Sequence, residues 1–151
     1  NLSFNMILNL ASVCNAENSN VLWGFVESYY PNMSKKKNIF LNELLEYGVN
    51  YYKKFILPKK EYRNPTDQEK KALRVLLERL KSMEAYEPSA VEIQNIIYEI
   101  GRINGFQNLR DWFVSFYEVI LGQKEGPRLG SFIKFYSIKK TIELMQSRLT
   151  Y

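Results

Sequence analysis

With 151 residues, 46% of them hydrophobic and 15% aromatic, the chain has the size of one folded domain, and its composition excludes a disordered segment or a coiled coil. It has no histidine and one cysteine, Cys14, which rules out Ser-His and Cys-His nucleophile pairs, the commonest zinc ligand and an internal disulfide. The net charge is +5, and residues 122–151, with six basic and two acidic side chains, concentrate it at the end, where a phosphate-bearing partner would be drawn.

No apolar run reaches the roughly 20 residues that span a bilayer, and the apolar opening NLSFNMILNLASVC lacks the basic flank and cleavage site of a signal peptide. The expectation is a soluble, cytoplasmic protein with no membrane partner. The chain opens on Asn rather than Met and its first helical pattern starts at once, so it reads as a fragment of a longer chain.

A 3.6-residue period predicts a first helix over about 4–16, with Ser3 as its cap, Phe4, Ile7, Leu8 and Ala11 among its buried positions, and Cys14 as core filling. Asn20 starts a second helix, which Pro31 ends. A third pattern, about 38–57, carries Phe40, Leu44, Tyr47, Tyr51 and Phe55 at spacings of three and four, and these side chains are expected to pack inward. Residues 58–65 hold two prolines and several charges without apolar period, and read as a linker between layers 1–57 and 66–151.

Beyond it, Thr66-Asp67-Gln68-Glu69 and Ser89-Ala90-Val91-Glu92 each have the Ser/Thr-x-x-Glu form, in which cap side chain and glutamate satisfy each other's backbone amides. They predict helices running to about Met83 and Asn104. Asn108 opens another, closed by Gly122, and Ser137 caps a last amphipathic helix with Ile138, Ile142, Met145 and Leu149 along one face. No stretch alternates as a strand would, and no Gly-rich phosphate loop follows one. The fold class is all-α, a compact bundle of seven or eight helices.

Ahead of the last helix lies GQKEGPRLGSFIKFY, Gly122 to Tyr136. A helix starting near Pro127 buries Leu129, Phe132, Ile133 and Tyr136, leaving Arg128, Ser131 and Phe135 on the opposite stripe with Lys134 alongside. A cation, a hydroxyl and a ring outside the core suit RNA. The charged groups meet phosphates, the ring stacks on an unpaired base, and amides at the helix N-terminus favour an anion. The plain alternative is a solvated helix face with one stray Phe.

Two stretches, FNMILNLASVCNAENSNVLWGFVESYYP and DWFVSFYEVILGQKEGPRLGSFIKFYSIKKTIELM, resemble the C-terminal region of class I lysyl-tRNA synthetases; between about Tyr52 and Ala90 only helical character matches. That family joins a Rossmann catalytic domain to an all-helical cage that receives the tRNA anticodon, and the resemblance covers the cage alone. The family's H-I-G-H and K-M-S-K-S signatures are absent, NMSKKKN at 32–38 having only a superficial likeness to the second. The resemblance implies no cofactor in this fragment, with ATP and magnesium bound by the missing catalytic domain. It implies the anticodon stem-loop of tRNA-Lys as partner, bound by a monomer. Many members of the family carry Gly where Ser137 stands here, so the turn into the last helix is expected to differ slightly.

The resemblance also brings the turn before the penultimate helix to the anticodon. The implied roles are phosphate contact for Lys124 and Lys134, a base edge or phosphate for Arg128, hydrogen bonding for Ser131 and stacking for Phe135. Arg110 and Trp112, from the preceding helix, complete the candidate set as a second tier, and because Trp112 shares its helix with the apolar Leu109, Phe113, Phe116, Tyr117 and Ile120, core packing is its favoured reading over base contact. Lys35, Lys36 and Lys37 read as a solvated loop or as contacts to the RNA backbone, and Glu125 as a base acceptor or a solubilising charge. Since neither Arg128 nor Phe135 is expected in the core, alanine at either position is expected to leave thermal melting unchanged. Two rival readings stand beside this one, a helical protein-interaction domain without RNA and the anticodon domain of a glutamyl-tRNA synthetase, which shares the cage.

Overall fold

The computed structural model describes residues 2–149, which form eight α-helices and no strand. None of these helices is long and apolar enough to cross a membrane. The chain divides into two compact units, one ending at Lys60 and the other beginning at Glu61.

The first unit holds α1 (Phe4–Cys14), α2 (Ser19–Tyr29) and α3 (Ile39–Tyr51), which continues through a widened π-turn, Tyr52–Ile56, and a 3₁₀ turn, Leu57–Lys59. Ser3 caps α1 by accepting the Met6 N–H at 3.1 Å, and Asn18 caps α2 by accepting that of Asn20 at 3.0 Å. Met6, Ile7, Leu10 and Ala11 are buried against α3, while Phe4 and Leu8 are only half-buried. The Tyr52 hydroxyl donates to Asn15 Oδ1 at 2.7 Å, the Lys60 ammonium to the Ser12 carbonyl at 2.7 Å, and the Trp23 indole N–H to Asn42 Oδ1 at 2.8 Å. Each buried polar atom thereby ties two elements together.

The aromatic stripe of α3 departs from expectation. Phe40 is 80% exposed, Tyr47 62% and Phe55 51%. The buried stripe is Leu45, Gly48, Val49 and Tyr52, at i, i+3, i+4 and i+7. Two apolar stripes run side by side along this helix, and the smaller residues face α1 because they let the two backbones approach.

The second unit holds α4 (Asp67–Met83), α5 (Ala90–Ile103), α6 (Leu109–Phe116, extended by a π-turn at Tyr117–Leu121), α7 (Leu129–Tyr136) and α8 (Ile138–Leu149). Both capping boxes form: Thr66 with Glu69, and Ser89 with Glu92. The core combines Leu73, Leu76 and Leu80 of α4, Ile93, Ile97 and Ile100 of α5, Trp112 and Phe116 of α6, and Ile142, Met145 and Leu149 of α8. Helix α7 packs along α5 and also meets α8.

The end of the segment read as a linker is fastened to this second unit. Glu61 N–H donates to the Gly122 carbonyl at 2.9 Å, and the Arg148 guanidinium lies 3.7 Å from the centre of the Tyr62 ring. Arg63 grips the Glu69 carboxylate with two N–H groups at 2.7 and 2.8 Å and gives its Nε–H to Glu118 at 2.6 Å. Glu69 also accepts the Thr66 N–H at 2.8 Å and the Ser115 hydroxyl at 2.6 Å. The Arg63 hydrogen bonds are the main reason its carboxyl is held down to about 2, against an opposing effect of burial, with Ser115 and Thr66 adding to the lowering. The same carboxylates raise the Arg63 guanidinium well above its ordinary range. The sequence marked Glu69 only as half of a capping box, and in the structure it also joins residue 63 to α6.

Candidate nucleic-acid interface

The turn between α6 and α7 is a short loop held at both ends. Gly122 ends α6 in the left-handed conformation, φ 71°, which favours glycine. Five residues on, the Tyr117 hydroxyl donates to the Pro127 carbonyl at 2.8 Å, and a Cβ on Gly126 would overlap the Tyr117 ring. Burial, and secondarily Tyr98, pushes the Tyr117 phenol up, so the hydroxyl keeps its proton and stays a donor across the physiological range. At the start of α7 the Gly130 N–H donates to Gln94 Oε1 at 2.6 Å, and a Cβ on Gly130 would overlap the Ala90 carbonyl and Gln94. Glycine at 130 lets α7 lie directly on α5. A frame of this kind fixes where the turn's side chains begin, and that lowers the entropy lost when they bind a ligand.

From this frame Lys124, Glu125 and Arg128 are exposed, while Ser131 and Lys134 are half-buried on α7. Arg128 is the N-cap residue of α7 and its side chain makes no capping bond. The turn therefore presents two cations and a carboxylate to solvent, followed by a hydroxyl and a third cation one and two turns along the helix. Lys139 and Lys140, exposed on the first turn of α8, extend the basic character past the end of α7 and were not singled out in the sequence. The helix N-terminus is less open to an anion than expected, because Gln94 takes one of its amides.

Phe135 sits differently from expectation, and two further candidates lie away from the turn's surface. Phe135 is 8% exposed, so its ring lies in the core rather than on a free stripe; α7 touches both α5 and α8, and little of its circumference is left uncovered. Trp112 is 1% exposed and its indole N–H donates to the Ile97 carbonyl at 2.9 Å, which places it in the core alternative, with face and edge both occupied. Arg110 is exposed, but it lies on the first turn of α6, roughly 18 Å of helix from the Gly122 turn. Lys124, Arg128, Ser131 and Lys134 lie along the turn and α7 at least partly open to solvent, whereas Phe135 and Trp112 are buried and Arg110 lies at the far end of α6.

The expectation also missed Gln94 and Tyr117, which hold the turn in place. A glutamine next to Ile93 and one turn before Ile97, on the buried side of an otherwise apolar helix, was the available signal for the first. Among Lys35, Lys36 and Lys37, all exposed, Lys35 donates to Asn20 at 3.3 Å. Among the described residues no group of three or more Cys, Asp or Glu could hold a metal ion.

No protein-family model matches the chain. It is similar to lysine–tRNA ligases of Rickettsia felis, 42% identical over 148 residues, Rickettsia peacockii, 40% over 148, and Rickettsia bellii, 39% over 151. In each case the match covers 98% of this chain and 28% of the relative. The chain thus spans a little over a quarter of the length of the relatives it matches, and that quarter is homologous throughout.

Proposed function

We propose that this chain, homologous to a segment of the lysine–tRNA ligases, is the part of a class I enzyme that receives the anticodon of tRNA-Lys. Lys124, Arg128, Ser131 and Lys134 make the contacts. The observation that carries this reading is the braced α6–α7 turn, where two exposed cations project from a loop whose backbone is held by Tyr117, Gly126 and Gln94. Lys124 and Lys134 neutralise phosphates. The Arg128 guanidinium, with its planar fork of donors, suits a phosphate or the carbonyl acceptors on a uridine edge, and the Ser131 hydroxyl adds a hydrogen bond. With Phe135 inside the core, recognition rests on charge and hydrogen bonds rather than on stacking.

Lysine activation, with ATP and magnesium supplying the adenylate chemistry, belongs to the remainder of the longer cytoplasmic enzyme. This segment acts by position. Holding the anticodon orients the acceptor end over a distant active site, so correct tRNA gains binding free energy that other tRNAs lose. The homology to lysine–tRNA ligases favours the lysine over the glutamate branch.

The test is binding of anticodon stem-loops to the protein. The lysine stem-loop is expected to bind more tightly than one with altered anticodon bases, with a log-log salt slope of roughly −3 for about four phosphate contacts on an unpaired strand. Lys124→Ala is expected to make that slope shallower by about 0.7 at any anticodon sequence, and Arg128→Ala to lower affinity about tenfold while thermal melting stays unchanged. Equal binding of all stem-loops would defeat the reading, and preference for the glutamate stem-loop would move it to the rival branch.

A further inference from the structure

The outward side of α3 carries Phe40, Leu44, Tyr47 and Tyr51, at i, i+4, i+7 and i+11, followed by Phe55 within the π-turn. The rings of Tyr47, Tyr51 and Phe55 are in contact, and Phe40 and Leu44 extend the same helical face by their spacing. The Tyr47 and Tyr51 ring centres lie 6.5 Å apart, those of Tyr51 and Phe55 4.8 Å, and Phe4 of α1 bridges to Tyr47 at 5.6 Å and to Tyr51 at 5.9 Å. Phe40, Tyr47 and Phe55 are each more than half exposed. A contiguous apolar surface of this kind is costly to leave in water and marks a place where another body sits.

We infer that this face is the docking surface for the rest of the polypeptide, the part present in the lysine–tRNA ligase relatives and lying outside the matched segment. Two observations select that occupant. The relatives extend well past the match, which covers 28% of their length, so a large further body is covalently at hand. In addition, the backbone enters α1 at Ser3, and Phe4, the first residue of that helix, is itself one of the clustered rings. Any chain preceding this point emerges beside the patch, at the high effective concentration that a short tether gives.

The charges argue against a nucleic-acid occupant. Glu43 lies one turn from both Phe40 and Tyr47, exposed on the same side, so a phosphate chain crossing the rings would meet a carboxylate. The nearby Lys54 ammonium lies 5.4 Å from the centre of the Phe55 ring. An apolar centre with charges of both signs at its margin fits an inter-domain contact better than a strand of RNA.

This inference stands apart from the RNA reading, and either can fail alone. The experiment is hydroxyl-radical footprinting of a full-length lysine–tRNA ligase containing this segment, without RNA, with rates resolved at Phe40, Tyr47, Tyr52 and Tyr86. Tyr86, 58% exposed, and Tyr52, fully buried, serve as internal references for open and closed rings. Docking predicts that Phe40 and Tyr47 react at least about fivefold more slowly than Tyr86, close to Tyr52, at every protein concentration. Reaction as fast as Tyr86 overturns the inference. So does protection that appears only when tRNA is added, which would make the face an RNA surface, or only at high protein concentration, which would make it a contact between two copies.

Discussion

In α3 the rings expected inside, Phe40, Tyr47 and Phe55, lie outside, whereas in α7 the ring expected outside, Phe135, is 8% exposed. Both expectations came from the same argument, that an apolar period marks the buried face of a helix. The period gives the phase of an apolar stripe but not the number of neighbours that will cover the helix. Helix α7 is eight residues long and lies against both α5 and α8, so two arcs of its surface are covered and residue 135 falls within them. Helix α3 has α1 and α2 as partners and carries more apolar surface than they cover.

The largest expected effect tests this contrast directly. In this chain, Phe135→Ala is expected to lower stability by about 3 kcal/mol, the cost of emptying a buried aromatic site, while Phe40→Ala changes it by less than about 0.5 kcal/mol. Chemical denaturation of the two variants measures both values. Equal losses would break the comparison, and a loss at Phe40 alone would reverse it.

A second contrast is electrostatic. The second unit contains the buried carboxylate of Glu69 held by Arg63, while an ion pair of the first unit, Lys53 with Glu17, is exposed. The Glu69 carboxyl is depressed from an ordinary 4.5 to about 2, so folding favours its ionised form. The stabilisation is complete above about pH 4.5 and disappears as the pH falls towards 2. Because Arg63 is partly open to solvent, the loss is expected to be on the order of 2 kcal/mol, below the full value of the shift. Hydrogen exchange followed down this range should show α4 and α6 weakening before α1 and α3. Arg63→Gln should abolish that difference, and acid weakening of both units together would sink the assignment.

Gln94 gives a smaller effect. Gln94→Ala leaves the Gly130 N–H buried without its acceptor, and a loss of about 1.5 kcal/mol is expected. Anticodon affinity should fall with it, since the start of α7 is no longer held. If stability falls while affinity does not, the brace has no part in binding.

The capping boxes at Thr66 and Ser89 and the apolar face of α8 were legible because each depends on residues within one turn of one another. Eight helices could therefore be placed from local signals. At the candidate site, the surface placement of Lys124, Arg128, Ser131 and Lys134 was legible from their polarity. The burial of Trp112 was legible in the apolar arc of its helix, but that of Phe135, decided by helices α5 and α8 arriving from elsewhere, was not, nor was the role of Gln94, whose partner lies 36 residues away. The bidentate grip of Arg63 on Glu69 was hidden for a related reason, since the glutamate already had a complete local role in its capping box.

Ser137 supplies the smallest and most direct comparison. Its φ of 101° and ψ of 146° fall in a region that essentially only glycine adopts without strain, and the family resemblance had pointed to glycine at this position. Ser137→Gly removes that strain but also loses the hydroxyl that accepts the Lys140 N–H at 3.0 Å, and it loosens the unfolded chain. Relief of strain is the larger quantity, so a gain of about 1 kcal/mol is expected. Asn15 ends α1 at φ 47° and ψ 53°, the left-handed helical region that asparagine tolerates, so Asn15→Gly relieves little strain and removes the acceptor of the buried Tyr52 hydroxyl, and a loss of about 1 kcal/mol is expected. Melting curves of the two variants then distinguish a strained turn from a relaxed one. A gain at Asn15 matching that at Ser137 would mean that positive φ alone, rather than the particular turn into α8, sets the cost.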